Sequence, residues 1–180
     1  AVTSLPQAFG PGEQTSYEVT WLGVPTGTAQ VTVGWKMEQF GQPVWPILCV
    51  GETSALAAAI PVKDRFISYF NPETQRAAGA DFFVSEGNWK KRERYRYDDA
   101  SQKTFVTRHV QGKEPYDREY DSQPNTMDLA SAAFRLRTTP MKVGQVIETP
   151  VFTGYKTYTM RVTVEGTETL DTKIGRVETF

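Results

Sequence analysis

The chain of 180 residues carries 20 lysine and arginine residues against 21 aspartate and glutamate residues, which gives a formal net charge of −1. This balance argues against an overall attraction to nucleic acid or to an anionic membrane, and no apolar run is long enough to span a bilayer. One cysteine and one histidine exclude an internal disulfide framework and a metal site built from clusters of those residues. We therefore predict neither a metal nor a cofactor.

Residues 1–12 contain two prolines and two glycines and are predicted to form an N-terminal arm. A single β-rich domain is predicted over 13–180. The chain starts at Ala1 without methionine, as expected for an exported protein whose signal peptide has been removed, and equally for a shortened chain. The last predicted strand runs up to Phe180, so we expect further C-terminal strands beyond this point.

Alternating apolar and polar residues predict most of the chain as strands. Tyr17, Val19 and Trp21 alternate with polar residues, which predicts a half-buried first strand. The turn 23–27 leads into a second strand, antiparallel to the first. Turn signals then recur about every ten residues, a spacing typical of all-β proteins. One alanine-rich segment, 55–60, is predicted to form a turn of helix.

A row of cations lies on one side of the strand predicted for Trp89–Tyr97. These residues are Lys90, Arg92, Arg94 and Arg96. Such a row is able to bind phosphate, nucleic acid or an acidic glycan, but a solvated face whose charges discourage edge pairing is the favoured interpretation. In the hairpin that follows, Glu93 lies opposite Arg108 if Tyr97 lies opposite Thr104.

The segments on either side of the predicted helix differ in pattern. Residues 112–123 are polar and are predicted to form a long loop or irregular edge that is able to act as a lid. After the helix, the segments 145–152, 155–164 and 170–180 alternate in polarity and are predicted to form a final meander.

Residues 127–137 carry the one convincing helical period in the sequence. Asp128, Ser131 and Arg135 form a narrow polar strip, and apolar residues fill the opposite arc. Because this arc is wider than a surface helix needs, we expect it to be covered. Thr139 and Pro140 end the helix, since the residue before a proline is pushed out of the helical region.

Arg137 is the exception, because it projects into the apolar arc, where an unpaired guanidinium is costly. Two interpretations stay open. The side chain either reaches outward and complements the helix C-terminus, or forms a buried ion pair with a carboxylate of the sheet. Glu13, Glu52 and Asp64 are the candidate partners, and Glu13 is the one we select.

These elements predict a mainly β fold, a curved antiparallel meander sheet or open barrel with one principal helix packed against it. A groove between helix and sheet is able to bind a ligand through aromatic side chains. The candidate binding residues are Trp21, Trp35, Phe134 and Tyr158. For each of them, a place in the core is an alternative.

The residues offer little support for catalysis. His109 lies mid-strand without a nucleophile motif, and Cys49 lies in an apolar run typical of a core thiol. One enzymatic alternative remains, a glycan hydrolase that uses two carboxylates. The acids to consider are Glu13, Asp64, Asp98 and Asp128. A further alternative is an assembly module that pairs through an exposed sheet edge.

The order and spacing of several residues resemble a known family. Phe9, Gly12-Glu13, Tyr17, Val19, Gly23, Gly27 and Ala29, followed by Asp64, Asp98, Asp128, Ser131, Leu136-Arg137, Gly144, Tyr158, Glu168 and Gly175, are similar to the landmarks of the bacterial family catalogued as domain of unknown function 3108. The resemblance implies an exported protein of a Gram-negative bacterium, in the periplasm or associated with the outer membrane. It implies no particular activity. We therefore expect a non-catalytic binding domain for a hydrophobic, glycan or protein partner, without nucleic acid.

Overall fold

The computed structural model describes residues 8–53, 61–172 and 175–180. The predicted helical turn at 55–60 lies outside these residues. Within them no helix is both long enough and apolar enough to cross a membrane.

Nine strands form one antiparallel sheet in the order β1-β2-β4-β5-β6-β7-β8-β9, with the short strand β3 paired to β4. The strands are β1 (Gln14–Trp21), β2 (Val24–Val33), β3 (Met37–Gln39), β4 (Gln42–Thr53), β5 (Lys63–Asn71), β6 (Arg76–Glu86), β7 (Trp89–Asp98), β8 (Lys103–Val110) and β9 (Tyr116–Asp121). Apart from β3, strands that follow one another in the chain are neighbours in the sheet, and over the described residues the sheet does not close into a barrel. The predicted open meander is confirmed.

The helix α1 (Leu129–Thr138) follows the sheet and precedes two hairpins, formed by β10 (Val146–Phe152) with β11 (Thr157–Thr163) and by β12 (Glu168–Thr172) with β13 (Gly175–Thr179). The predicted final meander is therefore divided into two separate two-stranded units. Of the two alternatives predicted for 112–123, the long loop is wrong, because the segment contains β9, which forms an edge of the sheet. The segment lacks the apolar alternation that predicts a strand, because β9 consists of four charged residues and two tyrosines.

One face of the sheet is covered by α1 and by the β10–β11 hairpin, and we call it the covered face. Ile47, Ser68, Ala80, Tyr95 and Val106 lie in register across β4 to β8, and all are buried. Partners in register project to the same side of a sheet. This row therefore forms the floor on which the helix packs.

The buried face of the helix is only partly the expected one, since Ala132 and Phe134 of the apolar arc are buried as expected but the polar strip is buried as well. The polar residues Asp128 and Ser131 face the sheet and are buried, whereas the apolar Leu129 is 64% exposed. Ser68 of β5 explains this orientation, since its hydroxyl donates to the Asp128 carboxylate (2.8 Å) and lies 2.5 Å from the Ser131 hydroxyl. A helix can bury its polar residues when the core supplies hydrogen-bond partners for them.

Strand β1 corrects a second expectation. Tyr17, Val19 and Trp21 were predicted on a half-buried strand, but every residue of β1 is exposed. The apolar packing on the covered face ends at β2, where Val33 joins a cluster with Phe9 and Phe134. An edge strand that the packing does not reach keeps its apolar side chains in solvent.

Candidate anion-binding site

The face opposite the covered face carries a row of basic residues around one aromatic ring. Arg65 of β5, Phe83 of β6, Arg92 of β7 and His109 of β8 are partners in register. Because the strands alternate, this row lies one residue along from the buried Glu93 and on the other side of the sheet. Arg65, Arg92 and His109 are exposed, and Phe83 is half-buried.

A depression with a volume of about 770 Å³ lies along this row. Its size is within the range typical of small-molecule sites. Residues of strands β5 to β8 and of the loop after β8 line it. The lining residues are Lys63, Phe83, Val84, Ser85, Lys90, Lys91, Arg92, His109, Val110, Gln111, Lys113 and Pro115. This set contains five lysine or arginine residues and no carboxylate.

Some of these cations already have an acidic partner. Lys63 lies 2.8 Å from a carboxylate oxygen of Glu52, and Lys91 lies 3.2 Å from one of Glu93. Over the described ranges, the remaining basic residues of the depression and its margin make no ion pair. These residues are Arg65, Lys90, Arg92 and Lys113. Their charge makes the depression a region of positive potential in a chain that is nearly neutral overall.

Two guanidinium groups lie over the same ring. The Cζ atom of Arg65 is 4.2 Å from the centroid of Phe83, and that of Arg92 is 5.0 Å from it. The sum of these distances is the upper limit of the separation between the two charges, so the groups lie within about one Debye length of 8–10 Å. The ring attracts each cation, but it does not neutralise either. An anion bound between them would do so, through the paired donors that a guanidinium offers.

Asp81, the acid near Arg92, already has hydrogen-bond partners. Asp81 accepts two hydrogen bonds from Arg94, at 2.8 and 3.0 Å, and one of 2.8 Å from the hydroxyl of Tyr69. Burial alone would raise the pKa of Asp81, but the bonds from Arg94 and Tyr69 and the nearby charge of Arg92 hold it below its usual value. Arg92 therefore contributes charge to this neighbourhood while its own donors stay available for a ligand.

A second group of charges lies inside the covered face. Arg108 and Glu93 form a fully buried ion pair. Tyr95 donates to Glu93 at 2.8 Å, and Arg108 also donates to the hydroxyl of Tyr116 and the carbonyl of Gly154, both at 3.0 Å. Glu93, Tyr95 and Arg108 are buried, and the bond from Arg108 to the Gly154 carbonyl fixes the β10–β11 hairpin on the sheet.

The Asp128 carboxylate caps α1 and is also enclosed. It accepts from the backbone N–H of Ser131 at 2.8 Å and from Ser68. Burial raises the pKa of Asp128 from 3.8 to about 6, although these hydrogen bonds act in the opposite direction. Burial, with the nearby charge of Asp128, also raises the pKa of Cys49 to about 11. A thiol with that pKa is protonated at neutral pH and is a poor nucleophile.

The structure places the four candidate catalytic acids on separate elements, each with a structural contact. Glu13 bonds to Arg137 at 2.5 Å, and Asp64 accepts from the backbone N–H of Ser85. Asp98 accepts from two backbone N–H groups in the β7–β8 turn, and Asp128 is the helix cap. No contact in the described ranges joins two of these acids.

The Arg137–Glu13 contact has a mixed outcome. The guanidinium reaches the selected partner, but the predicted burial is wrong, because the two side chains are 41% and 30% exposed. Phe9 and Phe134 lie beneath it, with ring centroids 5.4 and 5.1 Å from the Arg137 Cζ atom. The stem thus covers apolar surface while the charge stays near solvent, which combines both interpretations.

The four candidate binding aromatics are not brought together. Phe134 is buried in the cluster beneath Arg137, whereas Trp21, Trp35 and Tyr158 are exposed. Over the described part of the chain, none of the ring–ring contacts joins two of these four. They therefore line no common groove.

The sequence contained part of the candidate site. The sequence predicts the row Lys90 to Arg96 on one side of β7, and the alternation of the β7–β8 hairpin places His109 opposite Arg92. It does not connect Arg65 and Phe83 with this row. The place of Arg65 depends on the registers of two more strand pairs, which the sequence does not specify.

The sequence model of one family, described as protein of unknown function (DUF3108), matches residues 16–180. No curated protein matches the chain, and no solved structure matches it. The matched region includes every strand that lines the basic depression. The comparisons therefore place the candidate site within the family's own domain and leave its chemistry to be argued from the residues.

Proposed function

The chain belongs to the family described as protein of unknown function (DUF3108), and we propose that it is a non-catalytic domain that binds an anionic ligand in the basic depression. One observation carries the proposal. Arg65 and Arg92 lie over the ring of Phe83 without a carboxylate partner in the described ranges. The two ring distances keep these like charges within about 9 Å of each other, and an anion that bridges two like charges stabilises them.

The ligand class that fits best is an acidic glycan. Its phosphate, sulfate or carboxylate groups would accept paired hydrogen bonds from the guanidinium groups, while Lys90 and Lys113 supply charge further along the depression. Ser85 and Gln111 add neutral donors and acceptors of the kind that sugar hydroxyls need. A single small anion would leave most of these cations unused, which favours a ligand with several anionic groups.

The chemistry of the depression supports binding without catalysis. A glycan hydrolase of the two-carboxylate type needs an acid and a base about 5–10 Å apart, and no carboxylate lines the depression. His109 is exposed and has no bonded partner in the described ranges to orient it as a base. The glycan hydrolase stays a prediction. The contacts of its four candidate acids do not favour it in the described ranges; these acids are Glu13, Asp64, Asp98 and Asp128.

The resemblance of the sequence to exported proteins supports a further part of the proposal, that the domain works in the periplasm or at the outer membrane. Fractionation of the native host, with detection of the endogenous protein, tests this location. Recovery in the cytoplasmic fraction would contradict it.

Calorimetric titration with an acidic oligosaccharide at low salt tests the function. We expect binding by the wild type, and at least about tenfold weaker binding by Arg65→Gln and by Arg92→Gln, because a hydrogen bond to a charged group contributes about 1.5–3 kcal/mol. Arg161→Gln is the matched control, since Arg161 is an exposed arginine on the β10–β11 hairpin. It should bind as the wild type does.

Two further comparisons sharpen the titration. A neutral oligosaccharide of the same length should bind at least tenfold more weakly, and affinity for the acidic one should fall steeply as salt rises. Equal affinity for both oligosaccharides would contradict the proposal. So would equal losses in Arg92→Gln and Arg161→Gln, because the effect would then follow net charge and not the depression.

A further inference from the structure

The outer edge of β1 has no strand beside it in the described part of the chain, since β1 is the first strand of the sheet and pairs only with β2. The carbonyl of Glu13 accepts from the backbone N–H of Val33 on β2. Backbone groups of alternate residues point to alternate sides of a strand. The N–H and C=O groups of Gln14, Ser16 and Glu18 therefore point away from the sheet.

This edge lacks the features that protect the other one. Glu18 is the only charged residue among the eight of β1, which contains neither lysine nor proline. By contrast, four of the six residues of β9, the strand at the other end, are charged. Charged residues and prolines discourage the addition of a strand. The edge at β1 is thus open to pairing, whereas that at β9 is guarded.

Apolar side chains accompany the open backbone groups. Tyr17 is 54% exposed and Val19 is 45% exposed, and they lie two residues apart on one face of the strand. Solvent exposure of this kind next to an open edge is characteristic of a strand that adds another. The register shift between Val19 and Thr20 limits the regular part of the edge to residues 14–19.

We propose that a second copy of this chain occupies the edge, through antiparallel pairing of β1 with its own equivalent around Tyr17. In this register Tyr17 lies opposite Tyr17 of the partner, and Thr15 opposite Val19. Ser16 and Glu18 exchange their outward backbone hydrogen bonds. All these residues lie before the register shift.

Charge selects both the register and the partner. A register centred on Glu18 would place two carboxylates opposite each other, which is unfavourable, whereas the one centred on Tyr17 sets Glu18 against Ser16. Pairing of β1 with β9 of another copy would place Glu18 on the side of the sheet that carries Asp117 and Glu119. A twofold interface also closes after two copies. The expected product is a dimer with one continuous sheet.

Cross-linking locates the predicted register. Tyr17→Cys, in a Cys49→Ala background, should form a disulfide-linked dimer under mild oxidation, because opposite residues of a non-hydrogen-bonded pair have Cα atoms about 4.5 Å apart. Thr15→Cys in the same background is the control, since its two copies would lie about 13 Å apart along the strands. It should stay monomeric on a denaturing gel. Equal cross-linking of both variants would overturn the register.

Sedimentation equilibrium over a wide concentration range tests the dimer itself. Ser16→Pro removes an outward N–H that β2 does not use, so it should preserve the fold and weaken dimerisation at least tenfold, whereas Ser16→Ala should dimerise like the wild type. Tyr17→Lys provides a second variant if the proline variant fails to fold. It should weaken dimerisation by a similar factor, because two lysines would lie opposite each other.

A wild type that stays monomeric over the whole concentration range would overturn the proposal. This holds whether the edge of β1 is then covered by another protein or by solvent. A dimer that neither Ser16→Pro nor Tyr17→Lys weakens would also overturn it. Arg92→Gln should leave the dimer unchanged, so failure of this inference and failure of the anion-binding proposal are distinguishable.

Discussion

Strand β7 presents Glu93 to the covered face and Arg92 to the opposite face, and the surroundings of the two side chains differ in how charge is balanced. On the covered face, Glu93 and Arg108 neutralise each other and are enclosed. On the opposite face, Arg92 shares the ring of Phe83 with Arg65 and has no acid bonded to it in the described ranges. Balanced, enclosed charge maintains architecture, whereas unbalanced, exposed charge is available to a ligand.

The largest expected effect on stability comes from removing one charge of the buried Glu93–Arg108 pair. Glu93→Gln leaves the buried guanidinium of Arg108 without its counter-charge, and such a loss costs about 3–5 kcal/mol of the free energy of unfolding. Urea unfolding measures it. The double variant Glu93→Met, Arg108→Met removes both charges and should recover most of that loss. A loss below about 1 kcal/mol in Glu93→Gln would contradict the structural role of the pair.

Asp128 extends the comparison to a buried acid that accepts hydrogen bonds but has no ion-pair partner among the described residues. Its pKa is raised from 3.8 in the unfolded chain to about 6 in the fold. A raised pKa gives a contribution to stability that is complete below the unfolded value and is lost as pH rises through the folded value. Two units correspond to about 3 kcal/mol lost between about pH 4 and pH 7.

Asp128→Asn keeps a good helix cap and removes the titration. Urea unfolding at a series of pH values should therefore show that the wild type loses about 3 kcal/mol more than the variant over that window. Parallel pH profiles for the two proteins would show that the carboxylate titrates normally and is not enclosed as described.

The exposed ion pair is expected to contribute less. Arg137→Met removes the contact with Glu13 but retains an apolar stem over Phe9 and Phe134. Because the two charges are partly solvated, the free energy of unfolding should fall by less than about 1 kcal/mol. A loss near the 3–5 kcal/mol of a buried pair would contradict this assignment.

The smallest effect on stability is expected for a substitution of Arg92, on the face opposite the covered face. Arg92→Gln removes a cation that neutralises nothing directly, so the free energy of unfolding should change by less than about 0.5 kcal/mol. Thermal unfolding without added ligand measures this change. A loss of about 2 kcal/mol would show that Arg92 is structural.

Local patterns in the sequence predicted the features that depend on residues close together in the chain, such as the pairing of strands within a hairpin. The alternation along the β7–β8 hairpin placed Glu93 opposite Arg108, and this register is confirmed. The pairing itself did not reveal that these charges are buried, since burial comes from the β10–β11 hairpin, whose Gly154 carbonyl accepts from Arg108. Contact between segments distant in sequence decides burial, and periodicity does not report it.

The sequence did not predict which face of the helix is buried or which residues form the candidate site, because both depend on contacts between distant segments. The helical period located Asp128 and Ser131 on one strip, but their partner Ser68 lies far away in sequence on β5. Arg65 reaches the row of Arg92 only through the registers of β5 with β6 and of β6 with β7. Each of those registers is fixed by packing across the whole sheet.

One measurement tests the central claim, that the unbalanced face of β7 is the binding surface. Backbone amide chemical shifts recorded by nuclear magnetic resonance during titration with an acidic oligosaccharide report where the ligand lies. We expect the largest shifts at Arg65, Phe83, Arg92 and His109, with little change at Glu93 and Arg108. Shifts centred on the helix or on β1, or none at saturating ligand, would contradict it.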